Sequence, residues 1–186
     1  MVKLNKIYTR TGDAGSAGLV DGSRISKASA RMVAIGEVDE ANAAIGSAIA
    51  ALGQGAVSER LLTIQNDLFD LGADVATPGE VDGALRIIAV QVERLEQELD
   101  EMNAQLQPLT SFILPSGSAG VAALHVARAI VRRAERSAVA LHQVEALNPQ
   151  LLAYLNRLSD HLFVAARLVA SSEGGDVLWT PGASRS

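Results

Sequence analysis

The sequence predicts an all-α protein, a five-helix bundle behind an irregular N-terminal segment. Three observations predict it. Apolar residues recur at three- and four-residue spacing along successive stretches, the connectors are short and marked by glycine or proline, and aromatics are only 3% of the chain. A core without aromatics is built from Leu, Ile, Val and Ala, which suits close-packed helices. With 186 residues, 48% hydrophobic and 20% charged, the chain fits one well-cored domain and is not a disordered sequence.

The elements follow in order. TRTGDAGSAG (9–18) places three glycines, three hydroxyls and an aspartate in ten positions, and DGSR (21–24) is a second turn signal. Residues 3–24 are therefore expected to be irregular or a short hairpin. Ser26 or Ser29 suits the N-cap of a first helix whose face carries Val38, Ala41, Ile45, Ala48 and Leu52, and which GQG (53–55) stops. A second helix puts Leu61, Ile64, Leu68, Leu71 and Val75 on one side and ends at TPGEVDG (77–83).

In the third, Ile88, Val92, Leu95, Leu99, Met102 and Leu106 alternate steps of four and three, a seam suited to bundle packing. LQPLTSFILPSGSAG (106–120) breaks that pattern. A fourth helix is expected over 120–144, and LNP (147–149) separates it from a fifth over 149–172. The whole reads as a single domain, 1–186: an N-terminal loop segment 1–26, a helical bundle 27–173 and a tail 174–186, with the polar TPGASRS (180–186) loose.

The formal charge of −5 argues against a nucleic-acid partner. Without cysteine there is neither a disulfide framework nor thiolate chemistry, which fits a reducing cytoplasm. MVKLNKIYTR (1–10) lacks the apolar core of a signal peptide, and AGVAALHVARAIV (119–131) is interrupted by His125 and Arg128 and too short to span a bilayer. A cytoplasmic protein without a membrane partner is expected.

The fourth helix carries the chemistry. Residues 119–131 are apolar nearly all round, which marks a helix buried on every side, by another subunit if not by its own chain. His125, Arg128, Arg132 and Glu135 share one stripe within and beyond that stretch, flanked by Arg133 and Arg136. Such a stripe either grips a phosphate chain through arginine forks or forms a solvated face with internal Glu–Arg pairs. On the fifth helix Asn156, Asp160, Phe163 and Arg167 share a face. Asn156 suits a ribose or adenine edge, because its amide both donates and accepts, and equally suits a helix–helix contact.

On the first helix Asp39, within EVDE (37–40), is either the counter-ion of a buried arginine or part of a wet face. The N-terminal glycines lack the lysine arrangement of a phosphate-binding P-loop. They make either an anion nest of backbone N–H groups, with Lys27 adding a mobile charge, or an ordinary surface turn. Phe112, in FILP (112–115), stands beside the start of the fourth helix or plugs the bundle end. No His, Asp or Glu grouping has metal-ligand spacing, and no nucleophile–base constellation is present.

KIYTRTGDAG, SRISK, GEVDEANAAIG, FILPSGS, ALHVARAIVRRAER and NRLSDHLFVAAR, in that order across most of the chain, resemble the PduO-type ATP:cob(I)alamin adenosyltransferases. The resemblance implies a trimer of five-helix bundles with sites between neighbouring subunits. It implies transfer of the 5′-deoxyadenosyl group of ATP, with Mg²⁺, to the cobalt of reduced cobalamin, releasing triphosphate. It assigns nucleotide binding to Thr9, Arg10, Thr11, Gly12, Asp13, Gly15, Lys27, Arg132, Arg133, Glu135, Arg136 and Asn156. It places an intersubunit ion pair on Asp39 and Arg128, and a corrin-side ring on Phe112. A flavoprotein reductase and an adenosylcobalamin-dependent enzyme are the further partners it implies. The sequence departs from the family pattern at Ala17, where a hydroxyl is common, at Arg10, where lysine is frequent, and at His161, where an aromatic is usual. A helical binding module that escorts adenosylcobalamin without turnover is one competing reading, and an ATP-dependent enzyme acting on something other than a corrinoid is another.

Overall fold

The computed structural model describes residues 7–185. Lys3 and Lys6, where the expected irregular segment and the first matching motif begin, lie outside the described residues. Among them are a short hairpin, β1 (Ser16–Gly18) and β2 (Arg24–Ser26), and five helices: α1 (Ala30–Leu52), α2 (Ala56–Val75), α3 (Ala89–Asn103), α4 (Ala119–His142) and α5 (Pro149–Ser171). Of the two expectations for the N-terminal segment, the hairpin forms, with Ser16 opposite Ser26 and Gly18 opposite Arg24.

Ser29 caps α1 by accepting from the Met32 N–H, and Gly53 ends the helix at a φ of 74°, the left-handed conformation that glycine adopts freely. Ser118 and Asn148 cap α4 and α5 in the same way, with Pro149 in the first turn of α5. The third helix is shorter than its seam. Ile88 is its N-cap, extended at φ −119° and ψ 160°, so the helical period has not begun there and Ile88 is exposed while Ile87 is buried. At the other end the chain tightens into turns, Gln105 N–H to Met102 O and Leu106 N–H to Asn103 O, because Pro108 ahead disfavours helix for the residue before it.

Around the bundle α2 packs on α1, α1 on α4, α4 on α5 and α5 on α3. The α1–α4 crossing is close: a Cβ on Gly120 would lie 2.7 Å from the Leu52 side chain, so any larger residue forces these helices apart. The core is aliphatic, with Ile45, Leu61, Leu68, Leu95, Leu124, Leu155 and Leu162 fully or almost fully buried. Helix α4 is not buried all round. Val126 remains exposed on its outer side, and Val139, nearly opposite it around the helix, is exposed on the side toward Asn156 of α5. No helix among the described residues is long and apolar enough to cross a membrane.

Three polar knots fix the ends and one side of the bundle. Arg31, buried at the start of α1, donates to Val75 O at the end of α2 and to Glu145 at 2.6 Å in the α4–α5 connector. Asp67 on α2 accepts from Tyr154 Oη on α5 at 2.7 Å and from Gln91 and Arg94 on α3. Burial, with the carboxylate of Asp67 beside it, raises the Tyr154 phenol well above its ordinary pKa, so it stays a donor. The same knot extends through Arg94 to Glu98 at 3.6 Å, whose Oε2 meets His161, buried on α5, at 2.8 Å; this satisfies one nitrogen of the residue that stands where the family pattern has an aromatic.

The third knot is Asp74. Its carboxylate, almost completely buried, accepts from Arg86 Nη1 at 2.7 Å, Ile87 N–H at 2.9 Å and Asn148 Nδ2 at 2.7 Å. It joins the end of α2 to the entry of α3 and the cap of α5. Asp74→Ala takes the acceptor from the buried Ile87 N–H and the counter-ion from Arg86, which keeps only carbonyl partners, and is expected to cost about 3 kcal/mol. That is a fall in Tm of roughly 10 °C for a chain of this size. Urea and thermal unfolding measure it, and a loss below about 1 kcal/mol would show the knot to be dispensable.

Candidate functional site

The expected site residues fall into three places. The first is the N-terminal loop, Thr9 to Gly15. Arg10 holds a positive φ of 61°, and the Thr9 and Thr11 hydroxyls meet at 2.9 Å. The N–H groups of Asp13 and Gly15 are engaged in local turns, to Arg10 O at 3.5 Å and Gly12 O at 3.1 Å. Two of the loop's amides are thus turned inward, and its formal charge comes from side chains. Lys27 is held beside it: its N–H donates to Gly15 O at 2.9 Å, and a Cβ on Gly12 would stand 3.1 Å from Nζ. Glycine at position 12 is thus what lets the ammonium lie over the loop.

Arg24 clamps the same loop. Its Nη2 donates to Thr11 O at 2.6 Å, Ser16 Oγ at 2.8 Å and Ser16 O at 3.1 Å. Sequence reasoning quoted Arg24 only as part of a turn. Its signal was the hairpin itself, since pairing Gly18 with Arg24 swings the long side chain back across the turn that precedes β1.

The second place is a cleft of about 310 Å³ between α4 and α5, lined by Arg132, Glu135, Arg136, Val139 and Asn156. Glu135 Oε1 accepts from Asn156 Nδ2 at 2.8 Å, so the carboxylate orients the amide. Arg136 Nη1 donates to Arg132 O at 3.0 Å. Arg132 is exposed, and among the described residues its guanidinium makes no ion pair. Arg133 does not face this cleft. It pairs with Glu40 and, at 4.0 Å, with Glu37 on α1, because successive residues of a helix point about 100° apart. The ridge of arginines is split between two neighbouring helices.

The third place is an open pocket of about 720 Å³ lined by Leu109, Ser111, Phe112, Arg128, Phe163 and Trp179, with Thr110 and Ile113. Phe112 does not plug the bundle. It is 78% exposed and meets Trp179 edge-on, ring centroids 6.1 Å apart at 63°. The half-buried Arg128 guanidinium lies over the Phe163 ring at 5.9 Å, and its Nε is buried without a partner in this chain. Burial first, and Arg132 next to it, lower the Arg128 pKa from its ordinary value. His125 packs behind Phe163, held below its usual pKa by burial and by Arg128. Asp39 is exposed on α1, and among the described residues no ion pair joins it to Arg128.

The cleft and the pocket are neighbours along the α4–α5 groove. Arg128 and Arg132 are one turn apart, about 6 Å along the axis of α4, and Phe163 and Asn156 face them from α5. The N-terminal loop lies apart from both. Val20 N–H docks on Ala76 O at the end of α2, and among the described residues no hydrogen bond or ion pair joins residues 9–15 to α4 or α5. No group of three or more His, Cys, Asp or Glu among the described residues stands ready to hold a metal ion.

A helical bundle with a basic cleft beside an aromatic pocket, and a lysine-bearing glycine loop elsewhere, is a bundle built to bind an anionic ligand and a broad apolar one side by side. The cobalamin adenosyltransferase family model matches residues 7–169, and the chain belongs to that family. The chain is 50% identical to the corrinoid adenosyltransferase of Mycobacterium tuberculosis, over 99% of this chain and 97% of that protein. It is 45% identical to that of Bacillus subtilis, over 92% and 91%. Among solved structures, a variant PduO-type ATP:corrinoid adenosyltransferase from Lactobacillus reuteri complexed with cobalamin and ATP superposes with a TM-score of 0.87 at 37% identity. That likeness covers 94% of this chain and 99% of that one.

Trp179 is the other residue that sequence reasoning passed over. Only TPGASRS (180–186) was read as polar, and the apolar run Val177, Leu178 and the chain's one tryptophan just before it was the signal. If Arg24 is the clamp of the loop, Arg24→Ala should speed amide exchange and proteolysis at residues 11–16 while leaving Tm within about 2 °C, since an exposed arginine adds little to global stability. Unchanged exchange there would show that the loop holds its shape without the clamp.

Proposed function

We propose that this protein transfers the 5′-deoxyadenosyl group of ATP to the cobalt of a reduced corrinoid. Family membership supports the reading, and the observation that carries it is the groove in which a free guanidinium cleft and an aromatic pocket lie one helical turn apart. Co(I) attacks C5′ of the ribose, the C5′–O bond breaks with its electrons on oxygen, and triphosphate leaves as the Co–C bond forms. Co(I) is so strong a nucleophile that no protein base is needed. The protein has two tasks: to hold C5′ in line with cobalt, and to stabilise the charge that collects on triphosphate.

In this reading Arg132 and Arg136 donate to the triphosphate, and the Asn156 amide, oriented by Glu135, contacts the nucleoside. Lys27 and the Thr9, Arg10, Thr11, Gly12, Asp13 and Gly15 loop close over the same ligand from a second subunit, which accounts for the separation of the loop and the cleft within one chain. The homotrimer fits three further features: Val126 exposed on α4, the unpartnered Nε of Arg128, and Asp39 exposed on α1. Arg128 then meets the carboxylate of Asp39 across the interface. Arg133, held by Glu37 and Glu40, braces α4 against α1 and would reach the nucleotide only by leaving Glu40.

Mg²⁺ fits as a passenger of ATP. It is commonly held through substrate phosphates and one or two carboxylates, and Glu135 and Asp13 are the carboxylates the proposed site offers. The ion would neutralise part of the triphosphate charge. Phe112 stands where it can crowd one face of the corrin and displace the axial base of cob(II)alamin, which makes reduction to Co(I) easier. A flavoprotein reductase then supplies the electron, and an adenosylcobalamin-dependent enzyme takes the product.

Purified protein, Mg-ATP and chemically reduced cobalamin are expected to yield adenosylcobalamin and triphosphate. No product above the uncatalysed level would overturn the reading. Arg132→Ala is expected to raise the Kd for ATP roughly 10- to 100-fold, matching a charge-assisted bond of about 1.5–3 kcal/mol. Calorimetric titration decides it, and an unchanged Kd would remove Arg132 from the triphosphate site.

A further inference from the structure

The segment after α5 returns to the pocket as an anchored strap. Arg167, buried on α5, donates from Nε to Asp176 Oδ2 at 2.9 Å and from Nη2 to Gln107 O at 2.8 Å. One guanidinium therefore ties both the C-terminal segment and the α3–α4 connector to the same helix. From that anchor Val177, Leu178 and Trp179 run antiparallel to Phe112, Ile113 and Leu114. Leu114 N–H donates to Val177 O at 2.8 Å, Trp179 N–H to Phe112 O at 2.8 Å and Ser111 Oγ to Trp179 O at 3.0 Å.

The register puts Phe112 and Trp179 directly opposite each other, one residue beyond the Ile113–Leu178 bridge, so their rings fall on one face and meet edge-on. Both rings stay partly in water, at 78% and 45% exposure, while a fixed backbone holds them at the pocket mouth. Neither contributes to the bundle core. Two exposed aromatics pinned against each other in this way are placed for a ligand rather than for folding.

We propose that Trp179 is a positioning residue for Phe112, and that the strap pinned by Arg167 and Asp176 fixes the angle at which the Phe112 ring meets a corrinoid. The proposal rests on the adenosyltransferase reading and deepens it. A phenylalanine on a loop flanked by Pro108 and Pro115 has free χ angles unless something abuts it, and a ring that must displace an axial ligand has to resist being pushed aside. The Trp179 edge supplies that resistance. Its effect is selective, because cob(II)alamin carries an axial base to be displaced, whereas four-coordinate Co(I) does not.

The experiment compares full-length Trp179→Ala, Trp179→Phe and Asp176→Asn with the wild type and with Phe112→Ala, using cob(II)alamin plus reductant and, separately, chemically prepared cob(I)alamin. Trp179→Ala is expected to lose roughly tenfold in kcat with cob(II)alamin, about what an edge-to-face aromatic pair contributes, and less than about threefold with cob(I)alamin. Trp179→Phe should restore most of the loss, and Asp176→Asn should share its selectivity. Electron paramagnetic resonance of the protein with Mg-ATP and cob(II)alamin should show a smaller four-coordinate fraction in Trp179→Ala and Asp176→Asn.

Equal losses on both substrates, or wild-type behaviour of all three variants, would overturn the proposal. If Trp179→Ala does not fold, the selectivity of Asp176→Asn and its resonance spectrum decide in its place. A wild-type protein that makes no adenosylcobalamin from cob(I)alamin would instead sink the functional reading itself, so the two failures are distinct.

Discussion

Helix α4 divides its side chains among three neighbours, and the rest of the site depends on that division. At about 100° per residue, Gly120, Leu124, Ala127, Val131 and Ala134 go inward, and Gly120 lets α1 approach so closely that a methyl group would collide with Leu52. Arg133 points to the carboxylates of α1. Arg128, Arg132, Glu135 and Arg136 turn to the α5 side, where Phe163 and Asn156 complete a groove with an aromatic end and a basic end. The outer face keeps Val126 in water. A shift of one residue in the register of α4 would turn the unpaired guanidinium of Arg132 about 100° out of the groove.

The bundle can tolerate such a loaded helix because its own buried charges are paired elsewhere. Asp67, Asp74 and Arg31 are each taken out of water but surrounded by partners on two or three elements. Burying an ion repays its desolvation only when its remaining hydrogen-bonding capacity is satisfied. These knots tie together the ends of α1, α2, α3 and α5, and α5 is one wall of the groove. Arg128 is the contrast: it is half-buried, lies over an aromatic ring, and keeps a buried Nε without a partner.

The helices were legible because their signals are local. A serine cap on α1, glycine and proline breaks and apolar spacing located all five, and the misreadings sit at ends where the period fails for a stated reason: the extended N-cap Ile88, and the turn before Pro108. Two site residues escaped, Arg24 and Trp179. Each acts through pairing with a distant strand or connector, and nothing near them in sequence encodes the partner. The same limit explains Arg133, which spacing grouped with Arg132 although the two face different helices.

What the sequence determined by itself is periodic or compositional: an all-helical bundle, a hydroxyl-rich glycine turn ahead of it, and a helix carrying arginines at three- and four-residue steps. Which neighbour each charged side chain meets was decided only in three dimensions. The tertiary structure set Arg132 free in a cleft, paired Arg133 with α1, swung the C-terminal strand against Phe112, and left the N-terminal loop apart from the groove. The physical reason is that spacing fixes direction around one helix axis, while charge pairing depends on the packing of other axes, and that packing is settled by the close contacts of Gly120 and the buried carboxylates together.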